Sequence, residues 1–339
     1  MSRVMLVVPE FSEGGVERHV LNLANGLCGL GCWVTVVSAG GALASGLSGA
    51  VRRIELPVHK KNLLSIVSCA RRLSEEAVGG GIQIVHAHSR VPAWIGWLVR
   101  RFTGIKLVCT AHSRYSLNWG LWPLRRADGV ICVSRAVRDH LYDWLPGRNA
   151  VDVIHNPAPD RVIPWVGSGG RVKRLLYLGR LTPKKGPMVL IEALGSVGGD
   201  GWILDVVGDG PYSPELQGRS RALGIGDRVI FHGHRDDAAE WISRCDLFLF
   251  PSLDEGMGLS LSEALLAGAP VLASNLAAVR EITNCRGLIA PGEKSAWASR
   301  IEDFLWQPPE DGGLEITVKL PSGREMAEMV LNFYNGLLS

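Results

Sequence analysis

Two carboxylates, Glu255 and Glu263, frame the segment EGMGLSLSE, with seven residues between them. The segment follows the apolar run DLFLFP (246–251), which reads as a buried strand. A helix pattern over 257–267 then ends at Gly268 with Pro270 just behind, a stop signal. With the first residues in a loop, both carboxylates can face one ligand. The backbone N–H groups of Gly256, Met257, Gly258 and Leu259 open the helix and can donate to phosphate or sugar oxygens. Two cations, Arg180 and Lys185, lie in LGRLTPKKG, directly after the apolar run RLLYLG (174–179). A planar guanidinium fork and an ammonium point charge at a strand end suit a diphosphate. Gly186 beside them allows close backbone approach.

Gly14 and Gly15 follow the first apolar run and open a helix pattern, another place where backbone can approach an anion. The spacing is not GxGxxG, so a dinucleotide site is not indicated. Gly208-Asp209-Gly210 reads as a tight strand-to-helix turn. His86 and His88 alternate along a strand and can share a face. No Asp, Glu or Cys completes a metal-ligand set beside them, and no metal site is expected. His112, in TAHS, sits just past a strand end and can donate a hydrogen bond to a substrate hydroxyl.

The elements that must position these groups alternate strand and helix along the chain. Strand-like runs occur at 3–8, 33–37, 83–87, 106–111, 129–133 and 151–154. The segment 155–170 holds three prolines and three glycines without periodicity and reads as a linker. Alternation then restarts at 174–179, 202–208, 228–233, 246–251, 270–274 and 287–291, and a separate helix is expected over 323–338. The expected fold is α/β, with two doubly wound Rossmann-like parallel sheets facing across a cleft lined by their strand-end loops. The domains are expected at 1–160 and 161–320, with 321–339 a helix returning to the first.

With 339 residues, 47 % hydrophobic and 20 % charged, the chain has the makings of a real core and excludes a disordered or disulfide-stapled class. Seven cysteines without a CxxC pair fit buried free thiols in a reducing compartment. Net charge is +3, but residues 1–165 carry +8 and residues 166–339 carry −5. Trp94, Trp97, Trp119 and Trp122 lie beside Arg100-Arg101 and Arg125-Arg126 in the basic half. That mixture suits an anionic membrane surface or a lipid-linked acceptor. No recognised nucleic-acid motif accompanies the charge, so nucleic acid is not an expected partner. Residues 19–51 carry no Asp, Glu, Lys or Arg, but seven glycines break the stretch, which reads as helix, strand and loop. The short first run ends at Pro9-Glu10, unlike a signal peptide. A cytoplasmic protein is expected, with contact at the inner membrane face.

Taken together, the segments GGVERHVLNLANGL, IVHAHS, TAHS, VIHNP, YLGRLTPKKGPMVLIEAL, DVVGDGP, FHGHRDD and FPSLDEGMGLSLSEALLAGAPVLAS resemble the family-4 retaining glycosyltransferases of GT-B fold. They run in that family's order over nearly the whole chain. The resemblance implies transfer of a hexose from a UDP- or GDP-type sugar to a cell-surface glycan or lipid-linked acceptor, as in lipopolysaccharide synthesis. It also implies retention of anomeric configuration, with no metal or other cofactor. By the resemblance, Arg180 and Lys185 bind the diphosphate, Glu263 the ribose hydroxyls, and Glu255 the transferred sugar. Gly256 to Leu259 contact sugar and phosphates, Gly14 and Gly15 underlie the diphosphate, and Arg235 lies near the base, chiefly through its backbone. His112 touches the sugar near the reacting carbon and, with Glu255, is the catalytic assignment. Ala277-Ala278 and Asn156-Pro157 stand where the family often has Gly-Gly and Asn-Gly. The competing readings are a nucleotide-sugar epimerase on the same architecture and a non-catalytic nucleotide-sugar-binding module. The Arg/Lys pair and the spaced glutamates fit transfer better.

Overall fold

A computed structural model describes residues 1–339 apart from 13, 148–149 and 307–313. The chain divides into two compact units, Met1–Ala158 with Leu320–Ser339, and Pro159–Lys319.

In the first unit the strands are β1 (Arg3–Val7), β2 (Trp33–Ser38), β3 (Arg52–Glu55), β4 (Ile84–His88), β5 (Lys106–Ala111), β6 (Gly129–Cys132) and β7 (Ala150–Val153). The helices are α1 (Gly15–Gly29), α2 (Leu63–Gly79), α3 (Arg90–Thr103) and α4 (Arg135–Leu141). All strands pair in parallel, in the order β3-β2-β1-β4-β5-β6-β7. Such a sheet is covered on both faces, and β1 shows it. Val4 and Leu6 enter one core with Val20, Leu23 and Leu27 of α1, while Met5 and Val7 enter another with Leu73 of α2 and Val99 of α3. The order reverses between β1 and β4, so the loops beyond these two strands part there and leave a crevice.

The second unit carries β8 (Lys173–Leu178), β9 (Trp202–Val207), β10 (Val229–Gly233), β11 (Leu247–Phe250) and β12 (Val271–Ala273). Its helices are α5 (Pro187–Leu194), α6 (Ser213–Ala222), α7 (Ala238–Arg244), α8 (Leu259–Ala267), α9 (Ala277–Ile282) and α10 (Lys294–Trp306). The sheet is again parallel, in the order β10-β9-β8-β11-β12, with its reversal between β8 and β11. Leu175 and Tyr177 of β8 pack with the α5 and α10 core, and Leu176 packs on the opposite face with Leu261 and Leu265 of α8.

The last helix, α11 (Gly323–Leu338), belongs to the first unit. It opens with a capping box: the Ser322 hydroxyl accepts from the Glu325 N–H, and the Glu325 carboxylate accepts from the Ser322 N–H. Its face of Met326, Ala327, Val330 and Tyr334 is buried in the α1 core. Gly26 makes the crossing possible, because a Cβ there would stand 2.6 Å from the Ala327 Cβ and 3.0 Å from the Gly323 carbonyl oxygen.

The parallel α/β expectation holds, with three differences in detail. The edge strand β3 was not expected from its sequence, Arg-Arg-Ile-Glu. The run GLIAP (287–291) makes only an isolated bridge, Ser274 to Ile289, because one residue is all that pairs. The helix expected over 257–267 begins at Leu259, which leaves Met257 and Gly258 in the loop. No helix among the described residues is long and apolar enough to cross a membrane. Of the seven cysteines, all free, only Cys285 is exposed. Burial pushes the Cys132 and Cys245 thiols up to about 12, so neither ionises near neutrality.

Gly26→Leu should force α1 and α11 apart. A loss of about 1–3 kcal/mol in the urea unfolding free energy is expected, the usual cost of overpacking. Gly29→Leu, with nothing within 4 Å of its built Cβ, is the control that should cost far less.

Candidate functional site

The reversal point of the second sheet brings two loops together, one after β8 and one after β11. The first carries Arg180, a single 3-10 turn over Pro183–Lys185, and Gly186. The second runs from Pro251 to Gly258, the N-cap of α8. Backbone bonds clip them to each other, the Leu253 N–H donating to the Lys184 carbonyl at 2.8 Å. Gly186 adopts a left-handed conformation (φ 67°), and a Cβ there would lie 2.1 Å from the Pro251 carbonyl oxygen. No other residue fits that approach.

Across this seam the Lys185 ammonium donates to Glu255 Oε1 at 2.5 Å, and the Ser252 hydroxyl donates to the same oxygen at 2.8 Å. Only 7 % of the Glu255 side chain is exposed, against 35 % for Lys185. Burying a carboxylate this deeply is costly unless it is paired, and here an ammonium and a hydroxyl pair it. The lysine stays partly open and can meet a further anion. Outside this pair, Lys184 holds Asp254 at 3.0 Å on the surface.

Arg180 is exposed on the same loop, its carbonyl accepting from the Tyr177 hydroxyl at 3.0 Å. Gly256, Met257 and Gly258 are buried and lead into the first turn of α8 at Leu259. Glu263 stands four residues into that helix, half-buried. Arg235 lies apart, after the outer strand β10, with its guanidinium engaged by Asp237 at 3.0 and 2.7 Å. The Gly208-Asp209-Gly210 turn does more than connect. A Cβ on Gly208 would fall 2.0 Å from the Gly179 carbonyl oxygen, and the Asp209 carbonyl accepts from the Leu181 N–H at 2.8 Å. The turn therefore props the Arg180 loop from beneath. Close approach of two glycine-bearing strand ends was the signal that could have revealed it.

The first unit has its own polar centre at the β1/β4 reversal. Gly14 caps α1 and Gly15 is its first residue. One turn on, His19 points inward and donates from Nδ1 to Asn156 Oδ1 at 2.8 Å. His86 and His88 share a face of β4, their ring centroids 4.2 Å apart. His86 is held at both nitrogens, by the Tyr334 hydroxyl at 2.6 Å and the Thr110 hydroxyl at 2.7 Å. His88 Nδ1 and His112 Nε2 share a hydrogen bond of 3.0 Å. His112 is the most open of the four. Burial lowers all four imidazole pKa values, that of His19 to about 4 despite the bond to Asn156, so the cluster is neutral at pH 7. Sequence reasoning found the His86/His88 pair and His112 but missed His19, Asn156 and Tyr334.

A third feature is aromatic. Trp94 and Trp97 of α3 pack with Trp122, the Trp94 and Trp122 rings stacked at 5.8 Å. Arg126 lies 4.9 Å over the Trp122 ring, and Trp119 beside it is 72 % exposed.

Residues 13–160 match the family model described as Glycosyltransferase Family 4, and residues 172–307 match Glycosyl transferases group 1. The chain is 30 % identical over 329 residues to the phosphatidyl-myo-inositol mannosyltransferase of Mycobacterium leprae, spanning 86 % of this chain and 84 % of that one. It is 26 % identical over 356 residues to the D-inositol 3-phosphate glycosyltransferase of an Arthrobacter species, spanning 89 % and 84 %. In fold it matches Anabaena Alr3699/HepE, solved with UDP and glucose, at a TM-score of 0.78 and 18 % identity, over 100 % of this chain and 98 % of that one. The lipopolysaccharide glycosyltransferase WaaG matches at 0.72 and 19 %, over 98 % and 95 %.

The neutral histidines make stability pH-dependent. Their folded-state pKa values lie below the unfolded value of about 6.5, so the unfolded chain takes up more protons as pH falls. Their contribution is complete above that value and is lost on acidification, by about 1.4 kcal/mol per pH unit for each imidazole involved. The urea midpoint, measured with EDTA present, should fall from pH 6.5 toward the His19 value of about 4. In His19→Gln the slope should flatten by about one proton.

Proposed function

Since the chain belongs to the family-4, group 1 glycosyltransferases, we propose that it transfers a hexose from a nucleoside diphosphate sugar to a lipid-linked or cell-surface glycan acceptor with retention of anomeric configuration. One observation carries the reading: the Lys185–Glu255 pair, fixed across the two loops at the reversal of the second sheet. Ligands of open α/β sheets bind at that point. The relatives' names point the same way, since one is an inositol-lipid mannosyltransferase and one fold neighbour was solved with UDP and glucose.

The chemistry turns on charge. As the bond from the anomeric carbon to the diphosphate oxygen breaks, its electron pair stays on the diphosphate and the sugar becomes oxocarbenium-like. Arg180, Lys185 and the N–H groups from Gly256 to Leu259 supply fixed positive potential for the leaving group, so its departure does not call on a metal. The acceptor hydroxyl oxygen attacks on the face the diphosphate leaves, and its proton passes to the departing phosphate oxygen. Glu255 acts as an orienting group. Two donors already share its Oε1, which lowers its nucleophilicity and suits it to holding sugar hydroxyls. Glu263 takes the ribose hydroxyls, and Arg235 lies by the base through its backbone.

The acceptor class is argued from the first unit. Its excess of basic residues, the exposed Trp119 and the arginine-capped tryptophan stack suit an anionic bilayer surface, where aromatic rings sit at headgroup level. Contact there is peripheral and places the catalyst beside a lipid-linked glycan.

Arg180→Ala and Lys185→Ala should each lower kcat/KM by about 10²–10³ in a nucleoside-diphosphate release assay. The exposed Arg180 keeps this test free of any folding cost. Unchanged turnover in both would remove the assigned roles. In flotation with phosphatidylserine-containing vesicles, binding should weaken with salt. Replacing Arg125 or Arg126 by Gln should weaken it about fivefold each. Salt-insensitive absence of binding would remove the membrane contact.

A further inference from the structure

We propose that His19, His88 and His112 form a three-imidazole site for Zn²⁺ or a similar divalent d-block cation at the carboxyl end of the first sheet. The site belongs to the first unit alone and shares His112 with the catalytic assignment that the resemblance implies.

Three separate elements deliver the ligands: His19 from α1, His88 from the last position of β4, and His112 from just past β5. One ligand atom from each lies within 4.8 Å of the others. A tetrahedral zinc with Zn–N distances of about 2.0–2.1 Å needs its nitrogens about 3.4 Å apart. Small side-chain rotations close that gap.

The protonation pattern favours the cation. The Asn156 Oδ1 can only accept, so His19 Nδ1 carries the proton and Nε2 presents its lone pair. That Nε2 is buried without a hydrogen-bond partner, and so is Nε2 of His88. Two orphaned imidazole nitrogens in one pocket are costly as mere packing, because buried polar atoms are almost always paired. A shared cation satisfies both, and His112 joins as third ligand when its Nε2 lone pair, which accepts from the His88 Nδ1–H in this tautomer, leaves that bond for the cation. The Asn156 contact is the kind of outer hydrogen bond that orients a metal-bound histidine and raises its basicity. His86 is excluded as a ligand because Tyr334 and Thr110 occupy both its nitrogens, and it serves as a wall behind the site. The partly exposed His112 gives an entry path. Three protein ligands leave a fourth position for water or a small oxygen ligand, the arrangement of open zinc sites.

The test uses the full chain, stripped with EDTA and exchanged into chelator-free buffer. Titration with Co²⁺ should produce visible d–d bands that saturate at one equivalent and are displaced by Zn²⁺, and Zn²⁺ should raise Tm. His88→Gln and His112→Gln should abolish the bands, and Asn156→Ala should weaken binding about 10–100-fold. His112→Gln, at the more exposed position, decides the matter if a buried variant fails to fold. The proposal is overturned if the wild-type chain shows no bands and no Tm shift up to about 1 mM cation. It is equally overturned if binding persists undiminished in the histidine variants.

Discussion

A carboxylate taken out of water governs the candidate site. Glu255 sits where solvent cannot stabilise its charge, and an ammonium and a hydroxyl do so instead. Those donors come from two loops that leave neighbouring strands at the sheet's reversal. The ion pair is thus both a charge arrangement and a strut. It fixes the spacing of the β8 and β11 loops, and with it the position of the lysine that remains open to a further anion. Gly186 is subordinate to the same constraint, since any larger residue would push the loop off Pro251 and lengthen the pair.

The first unit handles buried polarity in the opposite way. Its centre is made of neutral imidazoles that hydrogen-bond to hydroxyls, an amide and each other, with no formal charge at pH 7. A cluster of this kind tolerates burial because each ring can choose its tautomer. The result is one unit whose reversal point is ionic and another whose reversal point is neutral. Both lie where parallel sheets leave a crevice, and both are built from residues just beyond strand ends.

Much of this was legible in the chain because buried parallel strands announce themselves as continuous apolar runs. DLFLFP and RLLYLG located the loops that follow them, and of the residues singled out there Lys185 and Glu255 meet. Illegible features had physical reasons. β3 is an edge strand of mostly exposed charged residues, so neither alternation nor apolarity marks it. GLIAP has strand composition, yet its neighbours offer a partner to one residue only. The histidine cluster was half visible. Period two along β4 joins His86 and His88, but Asn156 lies 137 residues from His19 and Tyr334 lies 248 residues from His86. Only tertiary packing brings such distant groups together.

The last helix has a kinetic consequence. The first unit's core lacks Met326, Ala327, Val330 and Tyr334 until residues 320–339 emerge. At roughly 5–20 residues per second, translation of the intervening unit takes on the order of 10–30 s. During that interval the α1 surface around Gly26 has no cover, and His86 has no phenol to bond. The second unit, contiguous from Pro159 to Lys319, faces no such delay. On the ribosome, the half made first should therefore be completed after the half that follows it.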